Sequence, residues 1–190
     1  MTLRPVFSQE VSMRRLKLTL GALMLTLFPL NTSEAQTEGT YITTSDVTAT
    51  EDAAAARLAE SGRTISDIMI RHVDVGDEQL GVAVVQRTKR ERGGPLRGIA
   101  HVRLDEIYYV LSGEGTMVTG GPITETSLSE GGMLGPMQSG LMQGGASQRM
   151  GPGDIAIIPK GVPHSWSEIT SDTISYLVFR TDPDKVMDPK

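Results

Sequence analysis

The chain has 190 residues, which suits one folded domain, and a formal net charge of −5. Gly (21) and Pro (10) are frequent and aromatics make up only 4%, a mix that favours short strands and tight turns over a helical bundle. The absence of cysteine excludes disulfides, thiolate zinc sites, a thiol nucleophile and a lipoprotein anchor, and no basic run interleaved with aromatics points to nucleic acid as a partner.

Arg14, Arg15 and Lys17 precede an apolar run from Leu18 to Leu30. Its thirteen residues fit the core of a signal peptide, about 7–15 residues, and fall short of the ~20 that span a membrane. Ser33-Glu34-Ala35 places small residues at both cleavage positions, so residues 1–35 are expected to leave by a cut between Ala35 and Gln36. Met13, directly before the arginine pair, is an alternative start, and Arg14-Arg15 matches a twin-arginine signal only loosely. The expected location is the periplasm or the exterior, with no membrane attachment after cleavage.

Residues 36–65 read as a Thr- and Ser-rich flexible lead followed by a short helix. Thr48 with Glu51 forms a capping-box pair that predicts an Ala-rich helix from Glu51 to Ser61, stopped by Gly62. A helix this short must dock on something to persist. From Ile65 the pattern turns to strands. Ile68, Ile70, Val73 and Val75 suggest the first, Gly76-Asp77 a turn, and Leu80 to Val85 the second. Arg87, Lys89, Arg90 and Arg92, beside Gly93-Gly94-Pro95, read as a solvated loop. Ile107 to Leu111 is strand-like, and Ser112-Gly113-Glu114-Gly115 suggests a hairpin turn into Thr116 to Thr119. Ile155 to Ile158, Ser165 to Ile169 and Thr173 to Phe179 complete the set, with residues 183–190 as a tail. Many short strands at this spacing predict an all-β antiparallel sandwich or barrel. Residues 129–152, with seven Gly and four Met (Met133, Met137, Met142, Met150), read as a long loop over the barrel mouth. Their thioethers could bind Cu(I), but no tight spacing supports it.

Two stretches carry chemistry. The first holds Gly93, His101, Glu106 and Gly113; the second holds Gly153, Pro159, Gly161 and His164. Together they resemble the two motifs of the cupin superfamily, and the resemblance covers residues 66–182. It implies a double-stranded β-helix, or jelly-roll, barrel with a divalent metal held by His101, Glu106 and His164. The first of the family's paired histidines falls at Ile99, which reduces four ligands to three. The Asn that often ends the second motif is replaced by Glu168.

Strand alternation puts Glu106, Tyr108 and Val110 on one face and His164, Trp166 and Glu168 on one face. His101 and Glu106 are an odd offset apart, so a bend or bulge near Arg103 to Asp105 must separate them if both point inward. Two imidazoles and a carboxylate converging on one point leave coordination positions open for water, dioxygen or substrate. Fe, Mn, Ni and Zn all suit this set. Tyr108 and Glu168 are the candidate catalytic groups that move protons, with Tyr108 also able to serve in the core. His72 lies outside both motifs, and Trp166 is expected at the pocket wall.

The sequence therefore suggests an exported metal-dependent enzyme acting on a small molecule, of dioxygenase, lyase or isomerase type. The alternative is a non-catalytic barrel that binds a small molecule or sugar. A third reading is a purely structural barrel assembled as a homodimer, since the family resemblance implies pairing through an edge strand or an exchanged N-terminal segment, and residues 36–65 could serve that exchange.

Overall fold

Strand β10 (His164–Asp182), nineteen residues long, is the spine on which the other elements are arranged. The computed structural model describes residues 38–130 and 132–188; the signal-peptide reading of residues 1–35 lies outside them. Before β10 come α1 (Thr44–Ser61), β1 (Ile65–Asp74), β2 (Gln79–Arg90), β3 (Arg97–His101), β4 (Asp105–Ser112), β5 (Gly115–Thr119), β6 (Ile123–Ser129), β7 (Met137–Met142), β8 (Ala146–Met150) and β9 (Ile155–Ile158). All ten strands join one antiparallel sheet, running β1-β2-β10-β3-β7-β6 with β4 and β9, and β5 and β8, attached through β10. This is the jelly-roll barrel expected from the sequence.

The outer half of β10 pairs with β2 on one side and β4 on the other; its inner half pairs with β5, and at His164 with β3. Consecutive β4 and β5 are thus not a hairpin, as Ser112-Gly113-Glu114-Gly115 had suggested. They run in the same direction along β10, joined by a corner where Gly113 takes φ 79°. A Cβ on Gly113 would collide with the Thr173 carbonyl oxygen of the neighbouring corner in β10. The glycine is there for that close approach and not for a reversal.

Three other expectations are corrected. The helix begins at Thr44, not Glu51, because Thr43 and Asp46 form the capping box: the Thr43 hydroxyl accepts from the Asp46 N–H, and Asp46 accepts from the Thr43 N–H at 2.8 Å. Gly62 does close the helix, in the left-handed conformation. The basic stretch is not all loop, since β2 continues to Arg90 through pairing with β1 and β10. Residues 129–152 are not one long loop either: β7 pairs with β3 and β6, and β8 with β5. Glycines hid these strands. Gly140 lies so close to β6 that any side chain would strike Ile123 and Thr124, while Met142 and Met150 are buried.

Helix α1 packs Ala54 and Leu58 against β1 and β2. Two hydrogen bonds from Glu51 fix it there: its carbonyl accepts from Gln86 Nε2 at 3.1 Å, and its carboxylate accepts from the Ser175 hydroxyl at 2.7 Å. Residues beyond β10 fold back, with Asp182 accepting the N–H groups of Val186 and Met187. Inside the barrel, Val110, Met117, Ile158, Trp166, Ile174, Tyr176 and Val178 form a close-packed core. Val85, Tyr108 and Tyr176 of the same cluster also border the cavity that holds the site. Among the described residues no helix is long and apolar enough to cross a membrane.

Gly113→Ala combines a left-handed φ with a backbone collision, so it is expected to destabilise the fold by about 3 kcal/mol. Urea denaturation followed by circular dichroism measures this; an unchanged midpoint would contradict the corner assignment.

Candidate metal centre

β3 ends at His101, the chain bends through Val102 and Arg103, and β4 begins at Asp105. That break resolves the odd offset between His101 and Glu106, and both side chains point inward, 3% and 1% exposed. His164 opens β10 directly opposite Ile99 of β3, so it enters the barrel beside His101. The Pro159-x-Gly161 turn delivers it there, Gly161 donating its N–H to the His101 carbonyl at 2.7 Å.

One ligand atom from each of His101, Glu106 and His164 lies within 4.8 Å of the other two. Glu106 Oε2 stands 3.4 Å from His101 Nε2 and 3.5 Å from His164 Nε2. Donors about 2.1 Å from a common ion stand about 3.0–3.5 Å apart at octahedral or tetrahedral angles, so this spacing matches a shared cation.

Electrostatics favours the same conclusion. Burial pushes the Glu106 carboxyl up, but Arg180 and the two imidazoles outweigh it and hold it down at about 2. Burial pushes both histidines down, against the opposing pull of Glu106, so at neutral pH they are uncharged. His164 Nδ1 lies 3.1 Å from the Val162 carbonyl, and donating there leaves Nε2 with its lone pair toward the centre. That lone pair and a carboxylate oxygen then face each other at 3.5 Å. Tyr108 is the one hydroxyl between them: it donates to Glu106 Oε2 at 3.0 Å and lies 3.2 Å from His164 Nε2. One proton cannot satisfy two acceptors, and His101 Nδ1 is buried without a partner. The donor set is that of a cation site, and the residues present fit a divalent metal.

Arg180 escaped the sequence reading. It is 2% exposed and lies directly opposite Glu106 in the β10–β4 register. Its Nε donates to Glu106 Oε1 at 2.9 Å, and its terminal nitrogens donate to both oxygens of Asp67 on β1, at 3.2 and 2.6 Å. The signal was present: Ile174, Tyr176, Val178 and Arg180 share a face by alternation, and a charge continuing a buried face needs a buried partner.

Glu168 is not brought to the centre. A bulge between Trp166 and Glu168 in the pairing with β5 changes the alternation, so Trp166 and Ile169 face the core and Glu168 leaves it. Its carboxylate accepts from Arg92 at 3.1 Å. The expectation that His164, Trp166 and Glu168 share one face fails at that bulge. His72 is also elsewhere, 3.0 Å from Gln79 Oε1. Tyr108 is in the site, stacked on Tyr176 with ring centroids 4.8 Å apart. Burial and the Glu106 charge push its hydroxyl well above the usual range, so it keeps its proton. A cavity of about 420 Å³ opens onto the triad, and Ile99 is one of its walls.

The sequence pattern of the cupin family, described as Cupin, matches residues 58–188. The chain belongs to the cupin family. Among curated proteins no sequence matches it. Solved structures similar to this cupin include the DMSP lyase DddQ from Ruegeria pomeroyi DSS-3, at 20% identity over 68% of this chain and 52% of that one, TM-score 0.41. The EutQ protein of Clostridium difficile follows at 15% identity over 63% and 69%, TM-score 0.38. Fe(II) HppE is similar at 17% identity over 53% and 42%, TM-score 0.36. The aligned part is thus about half, or less, of the lyase and HppE chains.

Glu106, His101 and His164 all titrate lower in the fold than their ordinary values of 4.5 and 6.5. Each contributes stability that is present above its ordinary value and lost as pH falls through its folded one. The melting temperature of metal-stripped protein is therefore expected to fall as pH drops below about 6.5 and to fall further between about 4.5 and 2. Calorimetry across that range checks it; a melting temperature flat from pH 7 to 4 would contradict the buried, uncharged imidazoles.

Proposed function

We propose that this cupin is an exported metal-dependent enzyme that holds one divalent ion on His101, Glu106 and His164 and acts on a small molecule in the adjoining cavity. The observation that carries the reading is the convergence of two uncharged imidazoles and one ionised carboxylate, all buried, at cation-binding distance. A bound ion would supply Lewis-acid or dioxygen-binding chemistry, and Fe, Mn, Ni and Zn suit the donors. The reaction classes open to it are those of a dioxygenase, lyase or isomerase. The basic patch before the Leu18 to Leu30 run supports export to the periplasm or exterior.

The chain's own residues have separable tasks. Arg180 fixes the Glu106 carboxylate and keeps it ionised. The Val162 carbonyl orients the His164 ring. Tyr108 holds its proton on Glu106 Oε2 and can turn it toward an oxygen of a bound molecule, serving as a positioned donor. Trp166, 1% exposed, and Tyr176 seal the floor against water from the core side. An apolar row on the outer face, Ile157, Ile107 and Phe179 across paired β9, β4 and β10, supports self-association as a homodimer.

Ile99 favours the second reading, a barrel that binds a small molecule or sugar without turnover. It stands where the family's first histidine falls, and it leaves three ligands. Elemental analysis of the purified protein is expected to find about one equivalent of a divalent metal, falling at least tenfold in His101→Ala and His164→Ala. Because Ile99 faces the cavity two residues from His101, Ile99→His is expected to slow metal loss to a chelator. Metal that is substoichiometric and indifferent to both alanine variants would overturn the enzyme reading. Full metal with no turnover of small acids and phenols would leave the binding reading.

A further inference from the structure

The chain is acidic overall, at −5, but the cavity over the triad is not. Four arginines line it, Arg87, Arg90, Arg97 and Arg180, against two carboxylates, Asp67 and Glu106. Both carboxylates are engaged by Arg180, which forks onto Asp67 and reaches Glu106 with Nε. That leaves three guanidinium groups with no acid of their own. Arg87 donates its Nε to the Tyr176 hydroxyl at 2.8 Å, which orients its two terminal nitrogens without using them. The side chains of Arg90 and Arg97 have neither a hydrogen bond nor an ion pair among the described residues.

Their placement is specific. Arg87 and Arg90 lie toward the end of β2, and Arg97 opens β3, so the two strands bring all three to one cavity. β2 pairs with β10 from Ile169, opposite Arg90, to Asp182, and β3 pairs with it at His164. Arg87 and Arg90 are half-buried and Arg97 is exposed, a gradient from the cavity interior to its mouth. The rest of the wall is largely apolar, with Val85, Ile99, Leu134 and Met137. Three like charges converging on a partly dry space repel one another, and they are strongest where water is scarce. Such an arrangement lowers its energy when an anion enters, and guanidinium groups hold a carboxylate through paired, charge-assisted hydrogen bonds. The positive mouth of an acidic protein also draws anions in preferentially.

We propose that the cavity takes a small organic acid, its carboxylate gripped by Arg87, Arg90 and Arg97 and its apolar body lying against Val85, Ile99, Leu134 and Met137. The inference names the substrate class of the site proposed above. It rests on that reading for its chemistry, while the binding itself needs only the arginines. A volume of about 420 Å³ is in the range of pockets that enclose a small molecule, about 300–1,000 Å³.

Isothermal titration calorimetry with benzoate and succinate, each beside its neutral amide, tests this on the purified protein, metal-stripped and zinc-loaded. At least one acid is expected to bind, with its amide at least tenfold weaker and with affinity falling as sodium chloride rises. Arg90→Gln and Arg97→Gln are each expected to weaken the acid at least fivefold with an unchanged circular dichroism spectrum, since neither side chain has a partner among the described residues. Equal binding of acid and amide, binding of neither acid, or variants that bind as the parent does would overturn the inference. The two readings separate cleanly. Acid binding that survives in protein unable to retain metal sinks the metal centre and leaves the arginine site. Full metal occupancy without discrimination between acid and amide does the reverse.

Discussion

A carboxylate taken out of water loses several kcal/mol of hydration unless a charge and hydrogen bonds replace it. Glu106 meets that requirement through Arg180, its direct cross-strand partner in the β10–β4 pairing. The same guanidinium forks onto Asp67, so the pair is anchored to β1 as well. Three consequences follow. Glu106 stays ionised at any physiological pH, its Oε1 is occupied, and its Oε2 is left to face the two imidazoles. The site is therefore a product of sheet register, and a slip of one residue between β4 and β10 would dissolve it.

The imidazoles depend on this arrangement in turn. Burial keeps them uncharged, and uncharged imidazole is the form that binds a metal. Tyr108 closes the network from the core side and cannot satisfy both acceptors at once. Floor and mouth are thus built oppositely: fixed, paired charges and a Tyr-Trp wall below, and above them arginines that have no acid partner among the described residues. That division suits the proposed reading, in which a metal ion sits at one end and a small molecule enters past the other.

Much of this was legible in the sequence because spacing in strands is a geometric statement. The offsets among Gly93, His101, Glu106, Gly113, Gly153, Pro159, Gly161 and His164 are enough to point to the barrel and to the cluster. The predicted interruption between His101 and Glu106 is the Val102–Arg103 bend. What escaped depended on long-range pairing. Alternation put Glu168 beside His164, but a bulge imposed by β5 turned it outward. Gly113 looked like a hairpin and is a corner, because β4 and β5 both follow β10. Glycines in residues 129–152 suggested a loop, yet Gly140 is small because β6 runs against it. Arg180 and Asp67 lie 113 residues apart, and local pattern does not show that they meet.

The central claim is that His101, Glu106 and His164 hold one metal ion between them. Anomalous diffraction from crystals grown with added divalent metal, collected on both sides of the metal's absorption edge, tests it most directly. One strong peak within bonding distance of both imidazoles and Glu106 Oε2, with Arg180 still on Oε1, is the expected result. A triad without such a peak, in crystals whose protein binds the metal elsewhere on its surface, would contradict the account.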